Sequence, residues 1–232
     1  MEEEEIDYSK AGTLLIDKPL KWTSFDVVSR VRGAMKRKYG KKNKVGHAGT
    51  LDPLASGLLI IATGANTKKI SEYQDMEKEY TGVFFLGATR PSFDKETEID
   101  ETFSIQDVTE DSIRKAALKF IGEIDQVPPI YSAIKIDGKR AYESARKGKE
   151  LEMQPRKITI KAFDITKIEM PHVHFKVICS KGTYIRSLAR DFGKELGCGA
   201  YLDSLIRTRI GDLKLENALS VEQVQDLFET GV

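Results

Sequence analysis

The run LLIIAT, Leu58–Thr63, constrains the fold more than any other stretch. It is apolar throughout, of strand length, and bounded by Gly57 and Gly64, which reads as a strand buried on both faces. Directly ahead of it, KVGHAGTLDPLAS offers one acidic side chain, Asp52, set between glycines and a proline. A loop that runs straight into a buried strand is fixed at one end, which suits a group that must be placed accurately. Gly46 and Gly49 would allow close backbone approach by a ligand. Pro53 restricts Asp52 to extended geometry. An Asp-Pro turn whose carboxylate merely bonds neighbouring amides accounts for the same residues, so two readings stand at this point.

The rest of the chain mixes periods. GTLLIDKP reads as a short strand ending at Pro19. TSFDVVSRVRGAMKRK reads as a helix capped by Thr23 or Ser24, with Phe25, Val28, Val31 and Met35 on its apolar side. KEYTGVFFLGA is a further strand, and TEDSIRKAALKFIG a capped helix ending at Gly122. RKITIKAFDITKIE and HVHFKVICS are strands, followed by the turn KGT and a helix in YIRSLARDFGKELG. One more short helix is expected after Gly211. Without strict β-α-β alternation, the expected class is α+β with a mixed, mostly antiparallel sheet flanked by helices. No internal repeat or long linker divides the chain, so residues 1–11 are expected to be an acidic tail and 12–232 one domain.

Composition narrows the function classes. The chain has 232 residues, 40% hydrophobic and 31% charged, ordinary for a soluble protein. No stretch reaches the roughly 18–20 apolar residues of a membrane span, and the opening MEEEEIDYSK is acidic where a signal peptide is basic. A cytoplasmic protein is the expectation. Cys179 and Cys198 form no CxxC pair and read as reduced, buried thiols. His172 and His174 share a strand face without further ligands nearby, so no metal site is expected.

The net charge of +1 conceals an asymmetry. Arg30 to Lys44 holds eight basic residues and no acid, among them Arg37, Lys41, Lys42 and Lys44. A second cluster, KIDGKRAYESARKGK, includes Lys135, Lys139 and Arg140. The acids gather at the N-terminus and in SFDKETEIDETFSIQDVTED. Segregated charge of this kind can present a polyanion-binding face. A carboxylate beside a buried strand also needs a cation to offset desolvation. Arg186, just after a strand and a tight turn, is placed to supply one.

At these residues the chain resembles a known family. GHAGTLDPLASGLL resembles the signature of pseudouridine synthases of the tRNA pseudouridine synthase B type, which isomerise the uridine at position 55 of the tRNA T loop. LLIDKPLKWTS, KEYTGVFFLGATRPSFD, QVPPIYSAIKIDGKRAYE and CSKGTYIRSLARDFG resemble four further motifs in the same order, and YLDSLIRTRIG a fifth more weakly. The resemblance runs from about Gly12 to Gly211. It implies that Asp52 is the catalytic aspartate, paired by Arg186, and that Tyr80 stacks on the target base. It also implies that His47 contacts the everted nucleotides, that Lys18 and Pro19 support the active-site wall, and that Leu205 lines an apolar pocket. Tyr184, in the arginine motif, joins the substrate-binding set. The basic clusters would grip phosphates, with the Lys135–Lys149 segment closing over RNA.

The implied reaction breaks the N1–C1′ bond, turns the uracil and joins C5 to C1′, so no cofactor is called for. Asp52 attack at C1′, attack at C6, and removal of the 2′ proton are all open. The chain departs from the family pattern at Lys21, where glycine is usual, and at Leu205-Ile206-Arg207, where Leu-Arg-Arg is usual. It stops about 20 residues past Gly211, where many relatives add a C-terminal RNA-binding domain. A catalytic domain without that addition is therefore expected, acting as a monomer on the tRNA T stem-loop, without guide RNA and off the membrane. Two competing readings are an RNA-folding chaperone and a carboxylate hydrolase. Intact Asp52, Tyr80 and Arg186 disfavour the first. The second normally needs another nearby carboxylate, which the Asp52 segment lacks.

Overall fold

A computed structural model describes residues 6–132, 135–136, 139–140 and 153–229. Along the chain the elements are β1 (Ala11–Lys18), α1 (Ser24–Tyr39), β2 (Val45–Ala48), β3 (Ala55–Gly64), a 3-10 turn (Ala65–Lys69), α2 (Ile70–Asp75) and β4 (Lys78–Leu86). There follow β5 (Ala88–Thr89), β6 (Glu101–Thr102), α3 (Glu110–Leu118), β7 (Gly122–Gln126), β8 (Lys135–Ile136) and β9 (Lys139–Arg140). The remainder is β10 (Arg156–Glu169), β11 (His172–Cys179), α4 (Ile185–Glu195), β12 (Ala200–Ile210), β13 (Leu213–Lys214) and α5 (Val221–Glu229). This is the α+β class expected. Contacts divide the chain into two compact units, Met1–Tyr80 with Leu205–Val232, and Thr81–Ser204.

The first unit is organised on β3. Strand β1 pairs antiparallel with it, from Ala11 opposite Gly64 to Lys18 opposite Gly57. Strand β2 pairs antiparallel with its second half. The Leu205–Arg207 stretch of β12 pairs with its start in parallel, Leu205 opposite Ala55. Alternate β3 side chains enter two cores. Leu59 and Ile61 meet the Val27, Val28, Val31 and Met35 face of α1 and Val221, Val224 and Phe228 of α5. Leu58 and Ile60 meet Ala48 and Ile210 on the other side. Burial on both faces explains why the run is apolar throughout instead of alternating.

Helix α1 begins at a capping box: Thr23 Oγ1 accepts from the Asp26 N–H, and the Asp26 carboxylate accepts from the Thr23 N–H. One detail differs from expectation. Phe25 is 61% exposed, and the buried stripe is Ser24, Val27, Val28, Val31, Ala34 and Met35. Val27, Val31, Ala34 and Met35 keep the i, i+4, i+7, i+8 spacing of one face, which leaves Phe25 on its flank.

In the second unit, β10 pairs antiparallel with β11 and, on its other side, with β7. Phe84, Phe163, Phe175 and Phe192 form its aromatic core, with Phe84 and Phe175 stacked at 4.2 Å. Helix α3 stops at Leu118 rather than at Gly122, which instead opens β7 with φ 112°. Gly122 therefore serves as the hinge into a strand, a left-handed position that glycine adopts without strain. Cys179 and Cys198 are buried, unbridged thiols. Among the described residues no helix is long and apolar enough to cross a membrane.

Candidate active site

Asp52 lies half-buried in the loop between β2 and β3, and that loop is held through main-chain atoms on every side. The Leu51 N–H donates to Ser24 Oγ at 2.9 Å, and Ser24 Oγ lies 3.2 Å from the Leu51 carbonyl, to which it donates. The Lys21 N–H donates to the Pro53 carbonyl at 2.7 Å, and the Ala55 N–H to the Asp52 carbonyl at 3.1 Å. Arg207 donates from Nε to the Leu58 carbonyl at 2.8 Å and from Nη2 to the Gly49 carbonyl at 3.1 Å. Together these bonds fix the main chain of the loop from Gly49 to Leu58. Close approach of the strands requires one glycine in particular. At Gly57, φ 102°, a Cβ would lie 2.5 Å from the Arg207 carbonyl oxygen.

The residues of DKPLKWTS, between β1 and α1, supply much of this clamp. Lys18 is fully buried, and its ammonium donates to the Pro19 and Trp22 carbonyls at 2.9 and 2.6 Å. Burial pulls the Lys18 ammonium down to about 8, and the Asp52 carboxylate partly opposes that shift. A buried cation thus stands in the field of Asp52 from within the same unit. Lys21 has φ 69°, so the chain keeps the left-handed turn that suits the glycine usual at this position, although the side chain is a lysine.

His47, on β2, is held below the usual imidazole value by burial and by the Arg207 guanidinium, against a weaker opposing effect of the Gly49 backbone. Its Nδ1 is shut from solvent and makes no hydrogen bond of ordinary geometry. Neutral imidazole is therefore the form the site favours. Tyr80, at the start of β4, is buried, as is Leu205, which the β12–β3 register sets opposite Ala55 at the exit of the Asp52 loop.

Arg186 and Tyr184 belong to the second unit. Arg186, in the first turn of α4, is 4% exposed, and its Nε lies 3.6 Å from the carboxylate of Asp94. Its Nη1 donates to the Ser92 carbonyl at 3.4 Å. Tyr184 caps α4 through its backbone. Its N–H donates to Gln126 Oε1 at 2.8 Å and its carbonyl accepts from Gln126 Nε2 at 3.1 Å.

Sequence reasoning missed three contributors. Ser24 was only a candidate helix cap, Arg207 only part of a weak motif, and Asp94 only the end of RPSFD. Arg207 is almost wholly buried, and Ile206 beside it is 40% exposed, so the arginine retained in that motif is the one with a buried structural task. Of the expected RNA-gripping residues, Lys41, Lys42 and Lys44 are exposed between α1 and β2, and Arg37 pairs with Glu229 at 2.8 Å. The side chains of Lys135, Lys139 and Arg140, and most of the segment to Lys149, lie outside the described residues.

The comparisons agree with one another. The family description "TruB family pseudouridylate synthase (N terminal domain)" matches residues 36–185, and "tRNA pseudouridylate synthase B C-terminal domain" matches residues 186–231. The tRNA pseudouridine synthase B of Flavobacterium johnsoniae is 55% identical over 225 residues, covering 96% of this chain and 98% of that protein. The protein of the same name from Phocaeicola vulgatus is 51% identical over 225 residues, covering 97% and 96%. Among solved structures, a chain of a Cbf5-Nop10-Gar1 complex superposes with a TM-score of 0.72 at 30% identity. A chain of an H/ACA RNP bound to a substrate RNA containing 2′-deoxyuridine gives 0.69 at 27%. Each match covers 97% of this chain but 57% of the other, so the chain spans little more than half the length of those two. The chain belongs to the TruB family of pseudouridylate synthases.

Proposed function

We propose that this site isomerises the uridine at position 55 in the T loop of tRNA, with Asp52 as the catalytic carboxylate. Conversion of uridine to pseudouridine in tRNA is the activity of the family to which the chain belongs. The observation that carries the residue assignment is the Asp52 loop. Ser24, Lys21 and Arg207 bond its main chain at four carbonyls and an amide, with the buried Lys18 cation close by. A carboxylate serves as nucleophile or base only when ionised and accurately placed. Each of the three chemical routes uses that same ionised group.

The reaction exchanges one bond for another. The N1–C1′ bond breaks, the C5–C1′ bond forms, C5 loses its proton to solvent, and N1 takes one up. A uracil stacked in a folded loop must first be flipped out, which costs a few kcal/mol. A Tyr80 stack of about 1–3 kcal/mol offsets part of that cost. His47, neutral and half-buried, meets the nucleotides of the everted loop. Arg186 supplies the cation that offsets the Asp52 charge, Tyr184 packs near the base, and Leu205 provides an apolar wall. Lys41, Lys42 and Lys44 contact phosphates, joined by Arg37, Lys135, Lys139 and Arg140, so binding weakens steeply with salt. The protein acts as a monomer in the cytoplasm, without a guide RNA, and residues 12–232 work as one catalytic domain behind an acidic tail.

The test is release of tritium from a tRNA transcript labelled at uracil C5, combined with mapping of the modified position. Release matching one pseudouridine per tRNA, at T-loop position 55, is expected. Modification at another uridine would overturn the positional assignment. Tight tRNA binding with no release by the unsubstituted protein would favour the RNA-chaperone reading.

A further inference from the structure

The outer face of α1 carries an open groove of about 620 Å³, lined by Lys21, Trp22, Asp26, Arg30, Gly33 and Arg37 together with one serine. Asp26, Arg30, Gly33 and Arg37 recur at i, i+4, i+7 and i+11, a single stripe opposite the buried one. The acids near it are already engaged. The Asp26 carboxylate accepts from the Thr23 N–H and hydroxyl, Glu229 pairs with Arg37, and Glu222, whose charge interacts with Arg30, accepts from the Ser220 hydroxyl. Lys21 and Arg30 are exposed, and their side chains make no hydrogen bond or ion pair among the described residues. The Arg30 guanidinium lies over the Trp22 ring, 5.7 Å from its centroid. A guanidinium held against a ring face keeps its N–H edge available for bidentate pairing with phosphate.

Gly33 adds an independent argument. A glycine inside a helix costs stability relative to alanine. Nothing in the packing requires one here, since a Cβ at Gly33 would meet only Arg37 Nη1, at 3.8 Å. Its effect is to leave the groove open. The groove is also tied to the reaction loop: the Lys21 N–H donates to the carbonyl of Pro53, next to Asp52, and the Trp22 carbonyl accepts from Lys18.

We infer that this groove binds a phosphodiester strand of the RNA substrate outside the reacting nucleotide, with Arg30 and Lys21 on phosphates, Trp22 bracing Arg30, and Gly33 providing the clearance. The inference rests on the tRNA reading above and extends it to a second contact surface. Because the bond to Pro53 joins this surface to the Asp52 loop, strand binding here would help seat that loop.

Trp22 is the only tryptophan in the chain, so its fluorescence reports on the groove directly. Titration with an unmodified T stem-loop RNA is expected to change Trp22 emission saturably and to protect it from iodide quenching. Arg30→Gln is expected to weaken RNA binding about three- to tenfold and to reduce the magnitude of the salt slope by about one. Gly33→Gln is expected to raise the melting temperature while weakening binding, which separates groove filling from unfolding. Binding by both variants with unaltered affinity and salt slope would overturn the inference. So would a Trp22 response to anionic lipid vesicles but not to RNA. A wild-type protein that protects Trp22 with RNA, yet forms no pseudouridine, would instead overturn the functional reading and leave the groove standing.

Discussion

Asp52 in the first unit and Asp94 in the second both sit in short loops next to strands, and the main chains around them are held differently. Around Asp52 the neighbours do the holding: Ser24 bonds Leu51, Lys21 bonds Pro53, and Arg207 bonds Gly49. Asp94 does the holding itself. It is 5% exposed, one carboxylate oxygen accepts from the Glu96 N–H at 2.9 Å, and the other faces Arg186 at 3.6 Å. A side chain that serves as scaffold cannot be exchanged without loosening the fold. A loop whose main chain is held by other groups presents its carboxylate at a fixed place. The contrast supports the proposal that Asp52 is the reactive carboxylate.

Substitutions on the two sides should separate these roles. Arg186→Met removes the buried cation beside the Asp94 carboxylate and is expected to cost about 3 kcal/mol, read as a fall in melting temperature of about 6–12 °C. Ser24→Ala leaves the buried Leu51 amide and carbonyl without their shared partner, at a cost of about 1–3 kcal/mol. It should also lower kcat more than it raises KM, because the loop then holds Asp52 less accurately; restoration of kcat by Ser24→Thr would support positioning. Lys21→Gly relieves a left-handed lysine and is expected to stabilise by about 1 kcal/mol, visible as a small rise in melting temperature. A fall instead would show that the Lys21 side chain contributes more than its backbone costs.

The mildest probe is pH. Lysine in an unfolded chain titrates near ~10.4, whereas burial brings Lys18 to about 8. Folding therefore expels a proton between those values, and the Lys18 contribution to stability improves as pH rises through that window. The stability of wild type relative to Lys18→Met should be flat below about pH 8 and should grow above it. Activity should decline over the same rise, because Asp52 loses the cation in its field. Deprotonation still leaves two N–H groups for the Pro19 and Trp22 carbonyls, so the clamp itself survives.

Much of this was legible along the chain. The buried strand β3, the loop carrying Asp52, helix α1, and the β10, β11 and α4 segments all follow from local pattern, and five ordered motifs identified the family. The missed features are tertiary. Phe25 falls near helical spacing yet faces outward, because Val27 and Ala34 complete a better stripe. Arg207 reaches Leu58 across 149 residues, through a parallel pairing of β12 with β3 that no local spacing encodes. Ser24 read as a possible cap because serine favours that position. Thr23 takes the cap, which leaves Ser24 buried and available to Leu51. A buried polar residue announces a partner but does not name it.

The central proposal is that neighbouring groups hold the main chain of the Asp52 loop and that the Asp52 carboxylate carries the chemistry. Single-turnover tritium release by Asp52→Asn, with its melting temperature taken on the same sample, tests that claim most directly. The expected result is a release rate reduced by about a thousandfold or more, with a melting temperature within about 2 °C of wild type. Release at an undiminished rate, or a variant that loses its fold along with its activity, would contradict it.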